Sequence, residues 1–285
     1  MTAVAFIHHK GGTGKTTSCL QVAGILKQMG RSVLVIDTDP QANATIGLGV
    51  YPESVQKNIY HYYISHCSDS KSGTLLSDYI IKTISGVDLI ASHLDLVGAE
   101  AVLYQNPDRY YILSTGINQI KNRYDHILID TPPFLGQFMM NGMIAADHLV
   151  MVFSPDTFAI AGYDHLTMII QDISEILGKK VRISLAILNR WGAPLGKPET
   201  LSEKIYDFFG LKKNHNIDSL NEIRTQLETR IRVEIPEVVI VHEGKEISQS
   251  NKQGIPLIVL APDDPAVQGF KAASQIIDTL KPGGA

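Results

Sequence analysis

The sequence predicts an α/β fold in which a doubly wound, mostly parallel sheet carries helices on both faces. Two observations lead to this prediction. Short runs of β-branched and aliphatic residues alternate with longer segments of helical period along most of the chain. Runs such as Val33–Ile36 also lack polar alternation, which is typical of strands buried on both faces. Parallel strands end at one edge of a sheet, so ligand-binding residues are expected at that edge.

The predicted elements follow one another from the N-terminus. A first strand is predicted at Ala3–Ile7 and a first helix at Ser18–Met29. The later buried strands are predicted at Val33–Ile36, Val87–Ile90, His126–Ile129, Leu149–Phe153, Ile183–Leu188 and Leu257–Leu260. The later helices are predicted at Asn106–Asn122, Asn141–Ala146, Tyr163–Leu177, Thr200–Phe209 and Pro265–Leu280. Helical segments between strands favour parallel pairing through crossover connections.

Composition places the chain among globular proteins. Of its 285 residues, 44% are hydrophobic and 19% are charged, which is enough apolar material for a full core. We expect one domain over residues 1–285, with 281–285 as a flexible tail. A formal net charge of −4 argues against a chain that is basic all over, and two cysteines are too few for a disulfide scaffold. No apolar run approaches the roughly 18 residues of a membrane span, so a soluble, cytoplasmic protein is expected.

A glycine-rich segment separates the first strand from the first helix. It consists of Lys10, Gly11, Gly12, Thr13, Gly14, Lys15, Thr16 and Thr17. In this context the glycines let backbone amides turn towards phosphate oxygens, and the helix N-terminus adds partial positive charge. Lys15 can reach the outer phosphates, while Thr16 offers a hydroxyl to Mg²⁺. The segment is a P-loop, and it predicts that the chain binds a nucleoside triphosphate.

Acidic residues follow two of the predicted strands. Asp37 and Asp39 come directly after Val33–Ile36, and Pro40 stops that strand from continuing. Asp130 follows His126–Ile129, in the pattern of a Walker B strand whose carboxylate accepts a hydrogen bond from magnesium-bound water. Because parallel strands end at the same edge, these carboxylates are expected beside the phosphate loop.

Lys10 has no role in an ordinary P-loop. With Lys10 before the double glycine, and with the two acidic segments in this order, the chain resembles the deviant Walker A ATPases. That family includes the ParA and Soj partition proteins, MinD and the nitrogenase iron protein. The resemblance implies that Lys10 crosses a dimer interface to the partner's phosphates. It also implies that Asp39 orients the attacking water and that Asp37 helps hold the magnesium shell, with Lys10, Lys15 and Asp39 as the catalytic residues.

The resemblance extends to the second half of the chain. It implies that Asn189 and Pro236, at two later strand ends, frame the adenine base, although an Asn at a strand end is also a common turn former. It further implies Mg²⁺-dependent ATP hydrolysis that is slow and stimulated by a partner. An ATP-sandwich homodimer would attach to a matrix and position a DNA or macromolecular cargo, together with a ParB-like or adaptor protein.

DNA is the matrix that the resemblance favours, which would place the protein at the nucleoid. The basic candidates for contacting it are Arg224, Arg230 and Arg232. One departure weakens this interpretation, because Glu237 follows Ile235-Pro236 where related partition proteins usually carry an Arg. An acidic side chain at that position would oppose binding to phosphates.

Four alternatives stay open at the level of sequence. One is a non-catalytic nucleotide-binding scaffold, although the presence of Lys15, Thr16, Asp39 and Asp130 favours hydrolysis. A MinD-like ATPase on a membrane would need a basic amphipathic C-terminal helix, and Val267–Leu280 has few bulky residues on its apolar face, so no membrane is expected. An electron-transfer protein would need paired cysteines, whereas Cys19 and Cys67 lie in a helix and a polar loop. An amide-forming synthetase of the dethiobiotin or cobyric acid type shares the fold but would not need Lys10.

Overall fold

A computed structural model describes residues 1–67, 74–154, 159–177, 181–190 and 217–283. Its centre is an eight-stranded sheet in the order β3-β4-β2-β5-β1-β6-β7-β8. The strands are β1 (Thr2–Ile7), β2 (Val33–Asp37), β3 (Ile80–Lys82), β4 (Asp88–Ile90), β5 (His126–Asp130), β6 (His148–Phe153), β7 (Ile183–Asn189) and β8 (Glu237–Val241). All neighbours pair in parallel except β3, which runs antiparallel to β4. The predicted mostly parallel sheet is confirmed.

Helices cover both faces of the sheet. In the described residues they are α1 (Lys15–Gln28), α2 (Asn43–Gly47), α3 (Ile59–Ser65), α4 (Leu96–Leu103), α5 (Ile112–Ile120), α6 (Gln137–Ala145), α7 (Ala159–Leu177), α8 (Ile217–Glu234), α9 (Ile247–Gln253), α10 (Leu257–Leu260) and α11 (Pro265–Thr279). Successive residues of β1 alternate between two apolar layers, with Ala5 and Ile7 in one and Val4 and Phe6 in the other. Each layer is closed by its own helices, as a doubly wound fold requires.

The prediction of a strand at Leu257–Leu260 is wrong. The segment forms the short helix α10, in which Leu257 is fully buried and Val259 is 52% exposed. The Leu257 amide donates to the Gln21 side chain of α1 at 2.7 Å, so this segment packs on a helix rather than in the sheet. A short apolar run does not by itself distinguish a strand from a helix. The last strand of the sheet is instead β8, which begins with the exposed Glu237.

One predicted helix begins later than expected. The helix predicted at Asn106–Asn122 begins only at Ile112, because the Asn106 side chain accepts from the Asp108 amide at 2.8 Å and closes a local turn. In the predicted tail, the Gly283 amide donates to Asp147 at 3.0 Å and the Lys281 carbonyl bonds the His148 ring at 2.7 Å. The helix predicted at Thr200–Phe209 lies outside the described residues.

None of the described helices has the length and hydropathy needed to cross a bilayer.

Packing of α11 on the sheet leaves no room for a side chain at Gly269. A Cβ there would lie 2.4 Å from the Ile240 carbonyl oxygen of β8, whereas a Cβ at Gly98 in α4 would meet no atom within 4 Å. We expect Gly269→Ala to lower the free energy of unfolding by about 1–3 kcal/mol because α11 must shift. Gly98→Ala should raise it by about 0.5–1 kcal/mol through helix propensity. Urea unfolding measures both, and equal effects of the two substitutions would contradict this packing.

Candidate functional site

The glycine-rich segment forms a tight loop between β1 and α1. Gly12 and Gly14 have φ values of 78° and 96°, in the left-handed region that favours glycine. At Gly14 a second constraint applies, because a Cβ would lie 2.0 Å from the side-chain nitrogen of Asn189. The loop and the carboxyl ends of the strands border a cavity of about 700 Å³. This is the edge at which a doubly wound sheet binds its ligands.

Lys15 begins α1 and is 6% exposed. Its ammonium group donates to the Lys10 carbonyl at 3.3 Å, so the side chain lies along the inner side of the loop. Burial lowers the pKa of Lys15, while the nearby Asp130 and Asp39 oppose that shift. The loop therefore presents a partly desolvated cation beside two carboxylates.

Asp37 and Asp130 occupy paired positions at the ends of β2 and β5, and both are fully buried. Asp37 accepts the Thr45 amide at 2.8 Å, the Thr45 hydroxyl at 2.7 Å and the Asp39 amide at 3.1 Å. Burial raises the pKa of Asp37 to about 7, and the bonds from Thr45 and Asp39 oppose the shift. Asp37 thus holds residues 39–45 in place through both of its oxygens.

Asp130 has one oxygen occupied and one open. Its Oδ2 accepts the Thr16 hydroxyl at 2.7 Å, whereas its Oδ1 is buried without a hydrogen-bond partner in the described part of the chain. Burial raises the pKa of Asp130 strongly, and the charge of Asp37 raises it further. A hydroxyl and an unsatisfied carboxylate oxygen at this spacing are a donor set that Mg²⁺ or its bound water prefers. These residues fit the ion.

Asp39 borders the cavity and is 5% exposed. One of its oxygens accepts the Gln41 amide at 2.9 Å, and burial raises its pKa. Pro133, from the turn after β5, borders the same cavity. The two acidic segments of the sequence therefore meet across the phosphate loop.

Lys10 is absent from the described lining of this cavity. Its backbone amide donates to the Nδ1 atom of His8 at 3.0 Å, which fixes the start of the loop against β1. His8 is buried and was not predicted as a site residue.

Asn189 and Pro236 lie at different edges of the sheet. Asn189 ends β7 and its side-chain nitrogen donates to the Thr13 carbonyl at 3.0 Å, while its Oδ1 is buried with no partner among described residues. Pro236 precedes β8, whose carboxyl end is Val241. Because β8 is parallel to β7, Pro236 lies at the opposite edge from the cavity, and its placement beside the adenine is wrong.

The segment after β8, rather than Pro236, borders the cavity. It contributes one side of the cavity with Glu243, Gly244, Lys245, Ile247, Ser248, Asn251 and Lys252. The Asn251 side chain also approaches the Thr17 hydroxyl at 3.5 Å. These residues were not predicted from the sequence because they reach the cavity only through the packing of their segment against α1.

The arginines predicted to contact DNA lie on α8. Arg230 pairs with Asp164 at 2.7 Å and with Glu234 at 3.2 Å, and Arg232 pairs with Glu228 at 2.7 Å. Carboxylates of the same chain therefore offset both positive charges. Arg224 belongs to α8, and its side chain lies outside the described residues.

The chain is a P-loop nucleoside triphosphatase. This class is defined by a P-loop, a Walker B carboxylate and a second acidic segment on a doubly wound sheet. Comparison with known proteins specifies the family. The AAA domain family model matches residues 1–183, so the chain belongs to that family, as a P-loop ATPase of the ParA and MinD type.

Curated relatives match over much or all of the chain. An uncharacterized protein, MJECL24, of Methanocaldococcus jannaschii is 28% identical over 285 residues, covering 99% of this chain and all of the relative. The sporulation initiation inhibitor protein Soj of Bacillus subtilis is 28% identical over 206 residues, or 72% of this chain and 79% of Soj.

Solved structures share the fold. A variant of McdA from Cyanothece in complex with ATP superposes with a TM-score of 0.76 at 21% identity, covering 99% of this chain and 98% of McdA. Cobyrinic acid a,c-diamide synthase from Mycobacterium smegmatis, with an ATP analogue and magnesium, gives 0.69 at 20% identity, covering 96% and 93%. An ATP-bound McdA variant and a diamide synthase bound to an ATP analogue therefore share this fold.

The buried carboxylate of Asp130 should destabilise the nucleotide-free protein. Because burial raises its pKa, wild-type stability falls as the pH rises above the ordinary carboxylate range, and Asp130→Asn removes that loss. At pH 8 we expect the variant to gain roughly 0.5–2 kcal/mol in urea unfolding.

Asp125→Asn, just before the same strand, is the matched control. Asp125 accepts the Ser32 amide at 2.8 Å and hydroxyl at 2.7 Å, which hold the pKa of its carboxyl below the usual range. This substitution should lower stability. If Asp130→Asn also lowered the free energy of unfolding, the destabilising effect assigned to the buried Asp130 carboxylate would be contradicted.

Proposed function

We propose that the protein is a Mg²⁺-dependent ATPase of the ParA type, which dimerises around ATP and positions a DNA or macromolecular cargo. The observation that carries the proposal is the open Oδ1 atom of Asp130, buried beside the Thr16 hydroxyl and the phosphate loop. Buried polar atoms without partners are rare, and this one lies where a nucleotide-bound cation would contact it.

Binding follows from the loop and its neighbours. Backbone amides of residues 11–16 and the ammonium of Lys15 would hold the phosphates, and Thr16 with Asp130 would hold Mg²⁺ directly or through water. The ion neutralises charge that develops on the phosphates. Asp37 would act on this shell indirectly, because its own oxygens already accept from Thr45 and Asp39. Asn189 Oδ1 is an acceptor suited to the adenine amino group.

Hydrolysis needs positioning more than covalent chemistry. Asp39 borders the cavity with a raised pKa and would orient the attacking water. By resemblance to the deviant Walker A ATPases, the Lys10 side chain would contact the phosphates held by a second copy, while its carbonyl accepts from Lys15 within its own loop. ATP would then join two subunits, and a ParB-like or adaptor protein would speed the slow hydrolysis that separates them.

The synthetase alternative shares this fold and the phosphate loop. It requires a second substrate that accepts the phosphoryl group, whereas the proposed ATPase turns over ATP with water alone. Phosphate release by the purified protein without added acid or amine substrate therefore separates the two. The membrane alternative predicts ATP-dependent binding to lipid vesicles.

Removing the water-positioning carboxylate should trap the dimer. With Mg²⁺ and ATP, Asp39→Ala should run as a dimer in size-exclusion chromatography with light scattering, because the phosphate contacts persist while hydrolysis stops. Lys15→Ala should remain monomeric because it loses the phosphates. Asp263→Ala, an exposed carboxylate outside the described cavity lining, is the control and should behave as wild type. Wild-type hydrolysis by Asp39→Ala would overturn the role assigned to Asp39.

The proposed DNA matrix has its own test. The wild-type dimer should shift duplex DNA with ATP but not with ADP, and affinity should fall steeply with salt because neutralised phosphates release counterions. Since Glu228 offsets Arg232, Glu228→Gln should tighten binding if α8 contacts DNA, and Arg232→Ala should weaken it. No ATP-dependent shift at low salt, under conditions where the dimer forms, would exclude a DNA matrix.

A further inference from the structure

Two consecutive residues at the end of β7 donate hydrogen bonds to carbonyl groups of the phosphate loop. The Arg190 guanidinium donates to the Gly12 carbonyl at 2.8 Å, and the Asn189 side-chain nitrogen donates to the Thr13 carbonyl at 3.0 Å. Both residues border the cavity. The loop is thereby tied to the sheet strand two positions away from β1 in the strand order.

These two bonds orient backbone amides as well as carbonyls. In a trans peptide the C=O and the following N–H point in opposite directions within one plane. Holding the Gly12 carbonyl towards Arg190 therefore points the Thr13 amide away from Arg190, and holding the Thr13 carbonyl towards Asn189 points the Gly14 amide away from Asn189. Loop amides of this kind are the groups with which a P-loop binds phosphate.

Arg190 adopts an unfavourable backbone conformation to make its contact. Its φ is 54°, and Ala42 is the only other non-glycine residue with positive φ in the described ranges. Left-handed backbone is costly for a residue with a long side chain and persists where the surrounding structure enforces it, often at functional sites. Here the residue in this conformation is the one whose guanidinium contacts the phosphate loop.

We propose that Arg190, with Asn189, is a latch that keeps the phosphate loop in its binding conformation before nucleotide arrives. Arg190 is a positioning residue, since it acts on phosphate through the Thr13 amide rather than by touching phosphate itself. This inference rests on the proposed nucleotide site. A latch of this kind stabilises the bound diphosphate and triphosphate equally, because the loop amides bind both.

The test compares nucleotide affinities by isothermal titration calorimetry. Arg190→Ala should raise the Kd for Mg-ADP and for Mg-ATP by the same factor of about ten, the loss expected for one charge-assisted hydrogen bond. At saturating ATP the kcat should stay within about twofold of wild type, because uniform binding is what is lost. Amide hydrogen exchange of peptides covering residues 8–17 should speed up in the nucleotide-free variant.

Two further variants separate the side chain from the backbone. Arg190→Gly adopts positive φ without strain and lacks the donor, so it should lose affinity as Arg190→Ala does. Arg190→Lys keeps a single donor and should recover part of the loss. Arg182→Ala, an exposed arginine just before the same strand, is the control and should bind as wild type.

Each contrary result has a distinct meaning. Wild-type affinity in Arg190→Ala, or full affinity in Arg190→Gly, would overturn the latch while leaving the nucleotide site intact. A loss confined to Mg-ATP would also overturn it, since that pattern marks an arginine that touches the terminal phosphate. Failure of the wild-type protein itself to bind Mg-ATP or Mg-ADP would overturn the proposed function instead.

Discussion

The burial of two carboxylates at the paired ends of β2 and β5 is the constraint on which the rest of the site depends. Asp37 and Asp130 are fully buried, and burial raises the pKa of both. The ammonium group of Lys15 lies close enough to Asp130 and Asp39 for both carboxylates to raise its pKa against the effect of burial. Buried charges without compensation lower the stability of the fold. A bound divalent cation would compensate the carboxylates, and a bound polyanion would compensate Lys15.

Hydrogen bonds carry this constraint outward from the two carboxylates. Asp37 binds Thr45, whose hydroxyl accepts the Ser92 amide at 2.9 Å after β4. The Thr38 hydroxyl and amide donate to the Asp130 carbonyl at 2.7 and 3.0 Å. The segment bearing Asp39 is therefore tied to both β4 and β5. On the other side of the cavity, β7 holds the phosphate loop. Loss of the terminal phosphate would thus act on segments that hydrogen bonds connect to one another.

Sequence patterns predicted the parts of the molecule that depend on local order. Continuous apolar runs identified the central strands, and the spacing of Lys15, Asp39 and Asp130 placed them at one edge, where the structure has them. Parallel strands make this inference reliable, because the position of a residue along its strand fixes the edge at which it lies. The same rule explains why the prediction for Pro236 was wrong, because Pro236 precedes the strand β8, which the sequence pattern did not identify.

Features that depend on contacts between segments distant in sequence could not be predicted in this way. The cavity wall formed by residues 243–252 and the contacts of β7 with the loop join segments far apart in sequence. The neutralised arginines are an intermediate case. Pairing of Arg230 with Asp164 requires the packing of α7 on α8, but the i,i+4 pairs of Arg230 with Glu234 and Arg232 with Glu228 were present in the sequence.

The most direct test of this account is the metal dependence of ATP binding by the wild-type protein. Isothermal titration with ATP should give an affinity at least about tenfold higher with Mg²⁺ than with EDTA, because the buried carboxylates oppose the bare triphosphate and the ion removes that opposition. Equal affinity in the two conditions would mean that Asp130 and Thr16 do not form a magnesium site, and the central claim would be wrong.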